Sequence, residues 1–384
     1  MSKLFEPIQI RELNISNRSW VSPMCQYSSD DGFSNDWHMV HLGSRAVGGA
    51  GLVMTEAAAV EPEGRISPWD LGIWKDEHIS GLKKITNFIK SQGSTPAIQI
   101  AHAGRKASTK RPWQGRGKIL KEDGGWVPRA PSSIAFDNES QIPEELSSEK
   151  VEEIINKFVL AANRSVEAGF SCIELHLAHG YLAHEFYSPI SNTREDMYGG
   201  NFENRTIFGV EIAKRIRKEI GEEIPLIARI SVTEYHDEGW DVNSSIEFSK
   251  KLKDSGVDMI DCSSGGNYSD QKIELKPGYQ VPLSKSIKEN VEILTGAVGL
   301  ITEKDQAEEV LDNHEADVIF LGRELLRNPY WTLYASGEID EWPLQYQRSF
   351  EGSKKVNVLK KISYNFKKGK IYSIMGPSGS GKST

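Results

Sequence analysis

Eight short apolar runs divide this chain, and the spacing between them leaves room for a helix after each. They fall at 20–24, 51–57, 97–100, 172–175, 225–229, 257–262, 291–295 and 317–321. Each is short and rich in Val, Ile, Leu or Met, as a strand buried on both faces must be. The intervening segments carry a helical period instead. In the clearest, Val151, Ile154, Ile155, Phe158, Val159 and Ala162 line one face, behind Ser147 and Ser148 and ahead of Gly169. That is a hydroxyl start and a glycine stop. Ile207, Val210, Ile216 and Ile220 mark a second helix stopped by Gly221, and Ala307, Val310 and Leu311 a shorter one. Strand and helix alternating eight times predicts an α/β fold, a (β/α)8 TIM barrel. A doubly wound sheet would want a glycine-rich dinucleotide turn after its first strand, and the sequence has none there. The segment 107–136, rich in Gly, Pro, Lys and Trp, predicts a long loop after strand 3. It could be a lid over the strand ends or a plain surface insertion.

Charge and cysteine usage narrow the function class. The formal charge is −8, with no basic stripe among aromatics, which argues against nucleic acid as a partner. No apolar run approaches the ~20 residues a membrane span needs. The opening MSKLFEPIQI also lacks a long apolar leader. Cys25, Cys172 and Cys262 are odd in number and far apart, with no CxxC pair. The expectation is a soluble enzyme of a reducing cytoplasm, with no membrane and no metal.

Barrel enzymes build their sites at the C-terminal strand ends, and polar residues gather there. After Cys172-Ile173-Glu174-Leu175 come His176, His179 and Tyr181. Neutral imidazoles can donate hydrogen bonds to a carbonyl oxygen, and a phenol can supply a proton. Gln99 and Arg229 end the third and fifth strands and could meet a planar heteroaromatic ring. Arg229 has an alternative use, a salt bridge to Glu174 or Asp261. Small residues follow the last two strands, Thr295 to Gly299 and then Gly322, with Arg323 supplying charge. That is a phosphate-binding composition. A zinc hydrolase using His176 and His179 is a weaker alternative, because two ligands on one helical face usually stand four apart.

The motifs SPMCQYS, EAAAVEPEGRI, IQIAHAGRKA, HLAHGYLAHEFYSPISNTREDMYGG, NRTIF and LGRELLRNPYW occur in this order between about residues 4 and 350. Together they resemble the old yellow enzyme family, in particular its thermophilic-like NAD(P)H-dependent FMN ene-reductases. The resemblance implies that Ser22, Pro23, Met24, Cys25, Ala57, Gln99 and Arg229 line the flavin. It implies that Gly322 and Arg323 hold the FMN phosphate. Tyr27, His176 and His179 would bind the substrate carbonyl, and Tyr181 would be the proton donor. NADPH or NADH would supply hydride, and electron-poor alkenes would accept it. A barrel flavoprotein acting mainly on quinones or nitro compounds is the alternative within the class. Arg348 matches an arginine that relatives push into a neighbouring subunit's site, which implies a homo-oligomer, a dimer or tetramer. The larger relatives with an iron–sulfur cluster are excluded, because no cysteine cluster follows the barrel.

From Glu351 the chain turns basic and ends in Gly376-x-x-x-x-Gly381-Lys382-Ser383, a Walker A pattern after the strand-like 371–375. This resembles the opening of an ABC-transporter ATPase. No Walker B acid or signature motif accompanies it. An ATP-binding transport component is therefore the lesser reading. The expected organisation is an FMN-binding barrel over 1–350 and an appended P-loop fragment over 351–384 that is not an independent domain.

Overall fold

The computed structural model describes residues 2–115, 117–338 and 342–350. The chain forms two compact units, Met1–Gly337 and Glu338–Thr384. The first is a closed barrel of eight parallel strands. In chain order they are β1 (Ser19–Val21), β2 (Leu52–Ala59), β3 (Thr95–Ala101), β4 (Cys172–Leu177), β5 (Leu226–Ser231), β6 (Met259–Ser263), β7 (Leu294–Ala297) and β8 (Val318–Leu321). Each pairs with its sequence neighbours, and β8 closes on β1. The helices of this first unit are α1 (Asp36–Val47), α2 (Glu77–Ser91), α3 (Ser148–Glu167), α4 (Leu182–Tyr187), α5 (Phe202–Ile220), α6 (Val242–Asp254), α7 (Val281–Val291), α8 (Lys304–Asp312), α9 (Arg323–Arg327) and α10 (Trp331–Ser336). Among the described residues no helix is long and apolar enough to cross a membrane.

Sequence and structure agree where the local cues are strong. Ser147 caps α3 by accepting from the Lys150 amide, and Gly221 ends α5 at φ +77°. Phe158 of α3 and Phe208 of α5 meet edge to face in the layer that also holds Ile173 and Leu175 of β4. The seventh strand differs from expectation. The run at 291–295 begins as helix, because α7 continues through buried Val291 and the chain turns only at Glu292, with φ +51°. The strand then starts at Leu294. The first strand is also shorter than its apolar run, since the chain leaves the sheet at Ser22, just before Pro23, which has no N–H to give a ladder.

Alternate residues of a strand face the same side, so the barrel interior fills in layers. The lowest layer is apolar, with Trp20, Ala97, Cys172, Ile227, Met259 and Phe320. A short antiparallel hairpin, Ile8–Ile10 against Leu13–Ile15, packs its isoleucines onto the same cluster. Two residues higher on each strand come Ser22, Gln99, Glu174, Arg229 and Asp261, all buried. Two higher again come His176, Ser231 and Ser263. The polar layers therefore lie toward the C-terminal strand ends. The long segment after β3 folds over this face as 3-10 turns, Pro112–Gln114 and Lys121–Asp123. It also contributes a two-residue strand, Arg129–Ala130, paired with Glu144–Glu145.

Candidate active site

The three residues after Leu175 that sequence singled out do converge. His176 is still within β4, rather than beyond it, because the strand runs on to Leu177. Its ring stands 5.1 Å from that of His179 and 4.9 Å from that of Tyr181, edge to face in both cases. His179 reaches its place with a left-handed backbone, φ +60°. Its Nε2 lies 2.6 Å from Ser263 Oγ, and its amide donates to Ser231 Oγ at 2.9 Å. Nδ1 of His176 accepts from the Ala178 amide at 3.4 Å, which leaves that ring's proton on Nε2. Burial and the neighbouring charge of Arg229 hold both imidazoles well below their ordinary range, so both are neutral at pH 7. Burial pushes the Tyr181 phenol up, so it keeps its proton.

One residue of this cluster escaped the sequence reading. Lys106, in the IQIAHAGRKA motif, donates to the carbonyl oxygens of His179 and Gly266 at 2.8 and 2.9 Å. It sits 5.1 Å from the centre of the Tyr181 ring. Burial, then Arg105, lower its ammonium to about 8. Lys106 ties the loops after β4 and β6 together, and glycines let them touch. A Cβ on Gly180 would stand 2.2 Å from the Gly266 carbonyl oxygen.

The segment after β1 forms the next wall. Glu56 of β2 fixes it, accepting from the Gln26 amide at 2.9 Å while pairing with His38 at 3.2 Å. Pro23, Met24 and Cys25 follow Ser22 along this wall and are half-buried. Burial, with the charges of Asp70 and Glu56, keeps the Cys25 thiol protonated. Tyr27 has φ +51° and meets Trp113 of the long segment edge to face at 5.9 Å. Tyr181 and Ala57, with Asp70, line a small cavity beside this wall.

Gln99 on β3 and Arg229 on β5 both have polar partners within the barrel. Gln99 Nε2 donates to Glu174 Oε1 at 2.8 Å. Arg229 Nε lies 3.3 Å from Asp261 Oδ2, and its Nη1 donates to Ser22 Oγ at 3.1 Å. The Asp261 pairing weighed at the sequence level therefore exists, and Arg229 nonetheless faces the mouth. A cavity of about 420 Å³ runs from His179 and Arg229 past Gln280 and Gly299 to Gly322 and Arg323. Gly299 has φ +119°, a conformation only glycine adopts without strain. At Gly322 an added Cβ would find only Ser22 and Met24, each at 3.9 Å, so backbone is open to close approach. Arg323 is exposed at this end. One end can thus take a phosphate and the other a polar heteroaromatic ring, so the residues present fit FMN. Arg348 lies in the turn Arg348–Phe350, in the second unit. The Walker A pattern at 376–383 lies outside the described residues.

A parallel barrel whose mouth joins a phosphate-ready end to a proton-handling trio has the outfit of a flavin-dependent oxidoreductase. The sequence profile of the NADH:flavin oxidoreductase / NADH oxidase family matches residues 3–341. The NADPH dehydrogenase of Bacillus cytotoxicus is 50% identical over 353 residues, covering 91% of this chain and 97% of that protein. That of Bacillus subtilis is 48% identical, covering 91% and 99%. Among solved structures, the old yellow enzyme homologue from Zymomonas mobilis aligns with a TM-score of 0.73 at 24% identity, over 88% of this chain and 96% of that one. Morphinone reductase aligns at 0.74 and 23%, over 87% and 89%. The chain belongs to the NADH:flavin oxidoreductase / NADH oxidase family. It is an oxidoreductase of old yellow enzyme type, with FMN as cofactor and reduced nicotinamide as hydride donor.

Proposed function

We propose that the enzyme reduces the activated C=C bond of α,β-unsaturated carbonyl or nitro compounds. The observation that carries this reading is the convergence of two neutral imidazoles and an un-ionised phenol in one buried cluster. FMN, when bound, supplies the hydride link between the nicotinamide and the substrate. Ser22 to Cys25, Ala57, Gln99 and Arg229 would hold its ring, and Gly322 with Arg323 its phosphate. His176, presenting Nε2–H, and His179 beside it bind the carbonyl or nitro oxygen, where negative charge grows as hydride arrives. Tyr27 closes the same pocket. Tyr181 then delivers its proton to the α carbon, which a phenol held un-ionised by burial can do at neutral pH.

Tyr181→Phe tests this. A positioned general acid contributes ~10²–10⁴-fold. Enone reduction should therefore slow at least ~10²-fold, while anaerobic bleaching of the bound flavin by NADPH keeps its rate. Unchanged enone turnover would remove Tyr181 from the proton-donor role. The same reading places the enzyme in the cytoplasm and makes its active unit at least a dimer, with Arg348 entering a neighbour's site. That is supported by the resemblance of PLQYQRSF alone; light scattering that shows a fully active monomer would reject it. It also treats 351–384, with its ABC-ATPase-like Walker A pattern, as an appendage without ATPase activity. ATP hydrolysis lost on Lys382→Ala would reverse that view.

A further inference from the structure

The middle layer of the barrel holds more acid than its surroundings explain. Glu174 and Asp261 are both wholly buried, on β4 and β6, either side of Arg229 on β5. The two carboxyls lie close enough for each to act on the other's ionisation. Ionised carboxylates only accept, so a hydrogen bond between them needs a proton. Glu174 Oε1 is supplied by Gln99, but Glu174 Oε2 and both oxygens of Asp261 are buried without a donor. Arg229 is the cation of this layer, and its Nε approaches Asp261. Above Glu174 on β4 stands neutral His176, and below it the Cys172 thiol, which burial keeps protonated. Neither answers a second negative charge. Two carboxylates sharing one dry site do not both ionise.

We infer that Glu174 carries one proton, donated to Asp261, and that this acid pair positions Gln99 and Arg229 within a layer of no net charge. The balance is simple: neutral Glu174, anionic Asp261, cationic Arg229. The proton on Oε2 serves that oxygen and one oxygen of Asp261, while Arg229 Nε stands 3.3 Å from Asp261 Oδ2. It leaves Oε1 to accept from Gln99 Nε2, so the Gln99 amide is held with its oxygen as the end available to a ring N–H. Asp261 keeps its charge for Arg229, whose Nη1 is turned to Ser22 at the mouth. Burial raises Glu174 well above its ordinary range, Asp261 adding to the effect, in agreement with that placement. Glu174 and Asp261 are positioning residues, acting on the flavin through Gln99 and Arg229.

The inference rests on the reading that FMN lies over Gln99 and Arg229, and the test separates the two. An infrared spectrum of the holoenzyme at neutral pH, recorded in a Glu185→Gln background because burial also raises that carboxyl, should contain a protonated-carboxyl band that shifts when the glutamates are isotope-labelled. Glu174→Gln, whose amide can accept from Gln99 and donate to Asp261, should lose the band and keep the flavin's reduction potential. Asp261→Asn leaves Arg229 unanswered. It should raise the potential, moving the reduced-to-oxidised ratio at a fixed applied potential by at least ~10-fold. Absence of the band, or equal non-zero shifts of potential in the two variants, would overturn the inference. Should a variant fail to fold, a spectrum of the unmutated protein with no protonated-glutamate band at all still overturns the inference. A holoenzyme whose potential ignores both substitutions while the band persists would instead displace the flavin from this layer.

Discussion

Gly180 offers a quantitative test of how the site is held together. It has φ +70°, and an added Cβ would lie 2.2 Å from the Gly266 carbonyl oxygen and 2.7 Å from the Asn267 Cα. Both are backbone, so neither can swing aside. In Gly180→Ala the left-handed backbone costs about 1 kcal/mol, and relieving the overlap costs about 1–3 kcal/mol more. The total is about 2–4 kcal/mol. Unfolding entropy of ~2.1 cal/mol/K per residue gives ~0.7 kcal/mol/K for the 337-residue unit. Tm should therefore fall by roughly 3–6 °C. The relief also pushes apart the loops that Lys106 joins, moving His179 and Tyr181. A displacement near 1 Å at reacting groups costs ~10²-fold in rate. Gly200→Ala is the companion measurement. Gly200 has φ +79° but nothing within 4 Å of its Cβ, so it should lose only about 1–2 °C and no activity. Melting curves and enone turnover on both variants read the difference. Equal losses in the two, or full turnover in Gly180→Ala, would refute the close-approach account.

The buried acids have opposite pH signatures. Glu61 is buried against His102, Lys157 and Arg129, and His102 and Lys157 hold its carboxyl far below the usual range despite its burial. Its stabilisation is present above the unfolded pKa, about 4.3, and is lost as pH falls toward the folded value. Glu61→Gln should cost ~3 kcal/mol in neutral denaturant melts, with the gap to wild type closing in acid. Glu185 on α4 accepts from the Arg105 amide at 2.8 Å, and burial raises it to about 8. Wild type should then lose stability relative to Glu185→Gln as pH rises from about 4.3 through 8, read as a Tm difference that grows with pH. A flat difference would mean that Glu185 ionises normally. Ser147→Ala removes the cap that accepts from the Lys150 amide and should cost ~1 kcal/mol by chemical denaturation, without change in flavin content.

Local cues in this chain were written where backbone chemistry is local. The Ser147 start and Gly221 stop depend on a few adjacent residues, so α3 and α5 were legible at their ends. The seventh strand was not, because apolar Val291 serves equally as the last buried residue of a helix or the first of a strand. Only packing of α7 chose the helix. His176, His179 and Tyr181 were legible as a group because they stand at, or just beyond, the end of one strand.

By itself, the sequence determined the barrel, through alternating periods of two kinds, and the short list of groups that could do chemistry at its rim. The tertiary structure alone decided their partners: Ser263 on His179, Lys106 across two loops, Glu56 behind Cys25, and Glu174 with Asp261 beside Gln99 and Arg229. Those residues are tens of positions apart in the chain and sit on different strands and loops. Their meeting, and the burial that keeps the imidazoles neutral and the phenol protonated, depends on closure of the sheet rather than on any neighbouring residue.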